Sequence, residues 1–212
     1  MAEFEKIPEI TSWLGAGSIN AFGVPFSGKD SQLRRLAKTL EGVHLSGGTI
    51  LRNSDIPADI KAIMKQGLLI PTPDFVQIVL PYLSQAEFDG KPLLLSSVGR
   101  WEGEQEGVLE ALETSGHPTK AVIYLNLEDS LARQRLEESL LEEELHEDSR
   151  GERDDDDHEH LTERLREFHE KTMPVIDYYR ERGLLIEVDA SLEKHEVENK
   201  IMNELAARAL RA

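Results

Sequence analysis

Short apolar runs alternate with amphipathic stretches along most of the chain. The apolar runs predict strands at Ser18–Val24, Val43–Ser46, Pro92–Val98, Ala121–Leu127 and Gly183–Val188. Helical spacing of apolar residues predicts helices at Ile7–Leu14, Ser31–Leu40, Ala58–Gln66, Pro73–Leu83, Glu104–Ser115, Ser130–Glu144 and His160–Arg182. Continuous apolar strands that alternate with helices are typical of a parallel sheet covered on both faces. Ligands of such sheets bind at the carboxyl ends of the strands, where we therefore expect the chemistry.

One segment departs from this alternation. Thirteen of the 24 residues at 137–160 are acidic, and only Arg150 and Arg153 among them are cationic. Like charges at this density repel one another and do not pack as a core. We therefore predict a solvated, mobile excursion between two helices.

Composition narrows the function classes. A chain of 212 residues is long enough for one domain with insertions. Its net charge of −17 argues against general binding to nucleic acids or anionic membranes, because those surfaces are also negative. The chain has no cysteine, and neither a signal pattern nor a membrane-length apolar run is present. These features favour a soluble, cytoplasmic protein.

A glycine-rich turn follows the first predicted strand. Residues 23–31 read GVPFSGKDS, which contains the pattern G-x-x-x-x-G-K ending at Lys29. In such loops backbone N–H groups surround phosphate oxygens, the lysine reaches the terminal phosphates, and a hydroxyl binds Mg²⁺. The strict pattern places that hydroxyl directly after the lysine, whereas here Asp30 stands before Ser31. The strand before the loop and the helix after it favour a phosphate site, since a helix N-terminus carries partial positive charge.

Further motifs resemble those of the nucleoside monophosphate kinases, and of adenylate kinases in particular. The loop GVPFSGKDSQ resembles the family's G-x-P-G-x-G-K-G-T-Q, in which the hydroxyl also stands two residues after the lysine. HLSGGTILR at 44–52 resembles H-x-S-T-G-D-x-L-R, and GLLIP at 67–71 resembles G-x-L-V-P. VGR at 98–100 stands where the family has F-P-R. RDDD at 153–156 and RLREFH at 164–169 resemble R-x-D-D and R-L-x-x-Y-x. The resemblance spans Ile19 to Leu205.

The resemblance implies a fold, a reaction and a set of site residues. The fold is a three-layer αβα P-loop kinase fold with a five-stranded parallel sheet and two inserted mobile arms. The reaction transfers the γ-phosphoryl group of Mg·ATP to a nucleoside monophosphate. The residues implied to bind ATP are Gly23, Pro25, Phe26, Ser27, Gly28, Lys29, Asp30, Ser31, Arg135 and Leu192. Those implied to bind the acceptor are Ser46, Gly47, Arg52, Ile70, Gly99, Arg100, Gln105, Arg153 and Arg164.

Four of these residues are implied to be catalytic: Lys29, Arg100, Arg153 and Arg164. Phosphoryl transfer depends on positioning and on neutralising charge, and arginine suits phosphate because its fork donates hydrogen bonds in pairs. The resemblance also implies that Arg135 stacks on the ATP base. Ser31 is the implied ligand of Mg²⁺, together with waters.

The same resemblance divides the chain. Residues 18–45, 84–136 and 161–212 form the implied nucleotide-binding core, and residues 1–17 a helical extension. Residues 46–83 form the acceptor-binding arm, and residues 137–160 a short acidic lid. The lid is too short for the zinc-bearing form, and the absence of cysteine agrees with this, so no zinc is expected. A monomer is the family expectation.

The chain also departs from the family pattern. Phe26 and Asp30 replace glycines of the loop, and Ser96 stands where the family has an aspartate that holds Mg²⁺ through water. Ser139 replaces a lid arginine, and Gly47 replaces a threonine that helps to select adenine.

These departures leave several alternatives open. Arg150 is a candidate to replace the missing lid arginine, and Asp155 or Asp156 to contact the waters of Mg²⁺. AMP is the leading acceptor, partly because Gln105 is near the place of a glutamine that reads adenine, although it stands five residues after Arg100 instead of four. UMP or CMP is the first alternative. A nucleotide-binding relative that has lost catalysis is the second.

Overall fold

The structure, a computed structural model, describes residues 6–65, 72–145 and 158–212. Its sheet has five parallel strands in the order β2-β3-β1-β4-β5. The strands are β1 (Ser18–Gly23), β2 (Val43–Ser46), β3 (Leu93–Ser96), β4 (Thr119–Asn126) and β5 (Leu185–Asp189). All five lie within or beside the apolar runs that predict them, so the predicted parallel sheet is confirmed.

Helices connect the strands throughout the described part of the chain. They are α1 (Ile7–Leu14), α2 (Lys29–Thr39), α3 (Gly47–Asn53), α4 (Ala58–Lys65), α5 (Thr72–Leu83), α6 (Gln105–Thr114), α7 (Asp129–Leu145), α8 (His158–Glu167), α9 (Met173–Glu181) and α10 (Lys194–Ala209). A short 3₁₀ turn at Ala86–Phe88 precedes β3. No helix among the described residues is long and apolar enough to cross a membrane.

The sheet is buried on both faces. In β3, Leu94 belongs to a core cluster with residues of β1, β4 and the helices α1, α2 and α7 to α10. Its neighbours Leu93 and Leu95 belong to a second cluster with residues of β2 and the helices α3 to α6. Successive side chains of a strand point to opposite faces, so the two clusters cover the two faces of the sheet. The three-layer αβα prediction is therefore confirmed.

The structure differs from the predicted helices at four places. The predicted helix His160–Arg182 is interrupted by a π-helical turn at Phe168–Thr172. Helix α3 was not predicted, because two glycines begin it, and neither was α10. At the acidic segment, α7 extends to Leu145 and α8 begins at His158, so the ends of residues 137–160 are helical.

Candidate active site

The loop between β1 and α2 is tightly wound. Gly28 has φ of 84° and Phe26 has φ of 62°, so both occupy the left-handed region that favours glycine. A Cβ at Gly23 would lie 2.5 Å from the Oγ of Ser27 and 2.9 Å from the carbonyl oxygen of Leu125. The loop therefore needs glycine at its first position. At Phe26 it tolerates a side chain that is partly buried against the core.

This loop and α8 line one cleft of about 170 Å³. Its lining residues are Pro25, Phe26, Gly28, Lys29, Asp30, Ser31 and Arg164. The structure thus brings Lys29, Ser31 and Arg164 together, as the resemblance implies, although they are far apart in the sequence. Lysine and arginine side chains at a helix N-terminus form a site suited to an anion.

Arg135 joins the loop to the end of β5. Its Nη1 donates a hydrogen bond to the carbonyl oxygen of Phe26 at 3.0 Å, and its Nη2 donates to that of Ala190 at 2.8 Å. Leu192, two residues further on, is partly buried against the core. Arg135, which the resemblance implies to stack on the ATP base, therefore borders the phosphate loop.

Asp30 is a charged group with partners from two strands. The Nε2 of His44 in β2 lies 3.5 Å from its Oδ1, longer than an ordinary hydrogen bond. This contact with His44 is the main cause that lowers the pKa of Asp30 well below its usual range, and Lys29 and Ser96 also lower it. Asp30 is thus an ionised carboxylate that lines the cleft beside Lys29.

Three of the implied acceptor residues, Ser46, Gly47 and Gly99, lie at or just after the ends of β2 and β3. The Oγ of Ser46 accepts a hydrogen bond from the backbone N–H of Thr49 at 3.0 Å and so caps α3. A Cβ at Gly47 would lie 3.1 Å from the carbonyl oxygen of Ser97, which leaves little room for the family's threonine. At Gly99, φ is 66° and a Cβ would lie 2.3 Å from Val108. Two of these positions thus have structural reasons to be glycine.

The loop from β3 to α6 is held by buried polar groups. Gln105 accepts a hydrogen bond from the backbone N–H of Gly103 at 2.7 Å. Glu104 accepts one from the backbone N–H of Trp101 at 3.2 Å, and burial raises the pKa of this carboxyl group to about 7. Arg100, at the same turn, is exposed. These contacts fix the turn that carries Arg100 and Gln105.

Three of the predicted site residues have no described side chain. Ile70 and Arg153 lie outside the described residues, and the side chain of Arg52 in α3 is not described. Arg150, Asp155 and Asp156 also lie outside them.

Sequence reasoning missed Asn20 and the pair of Lys171 with Trp101. Asn20 is buried in β1, where its Nδ2 donates to the carbonyl oxygen of Val98 at 2.7 Å and its Oδ1 accepts from the N–H of Val98 at 3.3 Å. The Nζ of Lys171 lies 4.3 Å from the centre of the Trp101 ring. An asparagine within an apolar strand was a signal for the first. No local signal marked the second.

Comparison with known proteins shows the family to which the chain belongs. The adenylate kinase family model matches residues 21–184, more than half of the chain. The chain belongs to the adenylate kinase family. As a member of that family it is a nucleoside monophosphate kinase.

Three relatives align with this chain over most of their length. The adenylate kinase of Dehalococcoides mccartyi is 30% identical, with 85% of this chain and 94% of the relative covered. That of Parvibaculum lavamentivorans is 31% identical, with 84% of this chain and 87% of the relative covered. That of Parasynechococcus marenigrum is 32% identical, with 87% of this chain and 96% of the relative covered. This adenylate kinase family member thus aligns with most of the length of each of these kinases.

The cleft fits a nucleotide with magnesium. Its donor set combines the Lys29 amine and the Ser31 hydroxyl with the carboxylate of Asp30. Within the described ranges, no group of three or more His, Asp or Glu side chains is arranged to hold a metal ion by itself. Magnesium in nucleotide sites binds few protein groups and completes its ligands with phosphate oxygens and waters, which agrees with this sparse set.

Proposed function

We propose that this kinase transfers the γ-phosphoryl group of Mg·ATP to AMP and so forms two molecules of ADP. The observation that carries the proposal is the cleft in which Lys29, Ser31 and Arg164 meet at the N-terminus of α2. The relatives named adenylate kinase support adenine as the acceptor base. Phosphoryl transfer requires mainly positioning and charge neutralisation, which is the chemistry that this cleft offers.

Each residue of the cleft has a role in the proposed reaction. Lys29 and the backbone N–H groups of the loop hold the phosphates of ATP. Arg164 comes from a distant helix and neutralises charge that develops on the transferring group. Ser31 would bind Mg²⁺, which supplies further charge neutralisation at the phosphates when it is bound. Arg135 and Leu192 border the place proposed for the ATP base.

The proposed acceptor site lies at the carboxyl ends of β2 and β3. Arg52 and Arg100 are proposed to hold the acceptor phosphate, and Arg153 to neutralise charge together with Arg164. Ser46, Gly47, Ile70, Gly99 and Gln105 are proposed to surround the acceptor nucleoside. An acceptor phosphate is already ionised at neutral pH, so the reaction needs no general base.

UMP or CMP is the second candidate acceptor. The amide oxygen of Gln105 already accepts a hydrogen bond from Gly103, and Gly47 offers no side chain to the base. A glutamine amide pairs with adenine through both its oxygen and its nitrogen. An amide oxygen that is already engaged weakens the preference for adenine.

The experiment measures ADP formation from Mg·ATP with AMP, UMP, CMP and GMP in turn. We expect AMP to react fastest, and Lys29→Ala to lower kcat about 100-fold or more. Lys38→Ala, an exposed lysine of the same helix, is the matched control and should keep normal activity. A faster reaction with a pyrimidine nucleotide would overturn the choice of AMP. Binding of ATP without turnover of any acceptor would overturn the whole proposal.

A further inference from the structure

Asp30 presents an electrostatic problem within the proposed site. Its carboxyl group, of a type that is ordinarily ionised at neutral pH, lines the same cleft as Lys29, Ser31 and Arg164. A carboxylate close to the phosphates of ATP repels them, at a cost that grows as water is excluded. Lys29 and Arg164 offset part of this repulsion, and a cation between the carboxylate and the phosphates would offset more of it.

In the described part of the chain, the two strands that pair with β1 do not end in a carboxylate for such a cation. P-loop enzymes commonly hold Mg²⁺ between the loop hydroxyl and an aspartate outside the loop. Here β1 pairs with β3 and β4, which end in Ser96 and Asn126. At the end of β5, Asp189 is engaged by the N–H and hydroxyl of Ser191, at 2.9 and 2.6 Å. Among the described residues of the cleft, Asp30 is the acidic side chain.

Asp30 lies beside a neighbouring strand of the sheet. His44 in β2 lies 3.5 Å from its carboxylate. The Asp30 side chain is 30% exposed and that of His44 is 17% exposed, so the pair is partly shielded from water. The adjacent ring and this partial burial restrict the positions open to the carboxylate.

We propose that Asp30 accepts hydrogen bonds from the water shell of the magnesium ion that binds with ATP. The carboxylate that P-loop enzymes take from outside the loop stands here on the first turn of α2, beside His44 of β2. His44 is a positioning residue in this arrangement. The inference rests on the proposed use of Mg·ATP and deepens it.

The experiment compares ATP affinity with Mg²⁺ and with EDTA, measured by titration calorimetry without an acceptor. For the unmodified protein we expect Mg²⁺ to strengthen ATP binding about tenfold or more. In Asp30→Asn the ratio of the two affinities should fall to about one. Metal-free ATP should at the same time bind several-fold more tightly than to the unmodified protein, because a repulsive charge has been removed. These opposite shifts are the signature of a carboxylate that acts through the cation.

A double variant keeps the inference testable if Asp30→Asn binds poorly. Asp30→Asn combined with Ser96→Asp returns a carboxylate to the end of β3, where the family has its aspartate, and we expect it to restore the dependence on Mg²⁺. Thermal unfolding of each variant checks that it folds. An equal gain in affinity for ATP with and without Mg²⁺ in Asp30→Asn would overturn the inference, since Asp30 would then only repel phosphate.

Two further outcomes separate this inference from the proposed function. Unchanged Mg²⁺ dependence in Asp30→Asn, with loss of that dependence in Asp155→Asn/Asp156→Asn, would overturn the role of Asp30 and leave the kinase reaction intact. Failure of the unmodified protein to bind ATP under either condition would overturn both.

Discussion

Glu104 is a buried carboxyl group at the start of α6, and its surroundings oppose ionisation. The residue is 6% exposed, and burial raises its pKa from 4.5 to about 7, although the N–H of Trp101 and the charge of Arg100 act in the opposite direction. In the unfolded chain the group ionises near its ordinary pKa. Between pH 4.5 and 7 the folded state therefore binds more protons, and stability falls as pH rises through this window.

Replacing Glu104 with glutamine should remove this dependence. We expect Glu104→Gln to match the original protein in stability near pH 4.5 and to exceed it by up to about 3 kcal/mol at pH 8, since each pKa unit corresponds to about 1.4 kcal/mol. Urea unfolding across this pH range measures the difference. Glu106→Gln, an exposed neighbour in the same helix, should show no such growing difference. A constant offset between the two proteins at all pH values would contradict the prediction.

At the scale of single residues, the sequence predicted the types of group in the cleft better than their partners. Lys29 and Ser31 could be predicted because loop and helix are adjacent in the chain. The contact between Asp30 and His44 could not, because it depends on how β2 lies beside β3 in the folded sheet. The burial of Glu104 was equally hidden, since glutamate is usually exposed and only the packed turn encloses it.

The π-helical turn at Phe168–Thr172 connects two elements of the site. Its Lys171 accepts a hydrogen bond at its backbone oxygen from the N–H of Glu102 at 3.0 Å, and its Nζ lies over the ring of Trp101. The Nζ also pairs with Glu167 in α8 at 2.9 Å. The turn thus joins α8, which carries Arg164, to the loop that carries Arg100.

Trp101 should therefore report binding of the acceptor. Its ring lies between Lys171 and the adjacent Arg100, whose guanidinium carbon is 5.8 Å from the ring centre. A phosphate bound by Arg100 would change this cationic environment, so we expect AMP to change the tryptophan emission. The other tryptophan, Trp13, is partly buried against the core and serves as the control. The change should persist in Trp13→Phe and vanish in Trp101→Phe, and the reverse pattern would contradict the prediction.

At the scale of elements, periodicity predicted all five strands but not every helix. The C-terminal helix α10 begins with a capping box between Glu193 and Glu196, which the sequence did not signal because a glutamate stands where the usual pattern has serine or threonine. The break at the π-helical turn does have a local signal, because Pro174 follows it within two residues. Proline has no N–H to donate to the carbonyl oxygen of residue 170, and its ring crowds that carbonyl.

At the scale of the whole molecule, a strongly acidic chain brings two cationic side chains together in the cleft proposed to bind phosphate. The net charge is −17, and Lys29 and Arg164 meet in the phosphate cleft. Repulsion among acidic groups opposes the compact state, whereas the cations of the cleft attract phosphate. The row of exposed glutamates Glu106, Glu110 and Glu113 on α6 shows the repulsion locally, because these residues are spaced four and three positions apart on one helix.

Added salt should stabilise the unliganded fold and weaken the binding of ATP. Raising NaCl from about 20 mM to about 0.5 M shortens the screening length from about 20 Å to about 4 Å, so repulsion among the acidic groups weakens. We expect the Tm of the unliganded protein to rise by several degrees, while the Kd for ATP increases several-fold because attraction to Lys29 and Arg164 is also screened. Thermal unfolding and ATP titration at each salt concentration measure both.

A variant in the row of glutamates on α6 tests the repulsion separately from ATP binding. Glu110→Gln removes the middle charge of the row and should raise the Tm at low salt, with a gain of a few tenths of a kcal/mol in unfolding free energy that disappears at high salt. It should leave the Kd for ATP unchanged, since Glu110 is outside the cleft. If salt lowers the Tm of the unliganded protein, attractive ion pairs on the surface outweigh the net repulsion. The acidic composition would then stabilise the fold through its pairing with the 24 lysines and arginines.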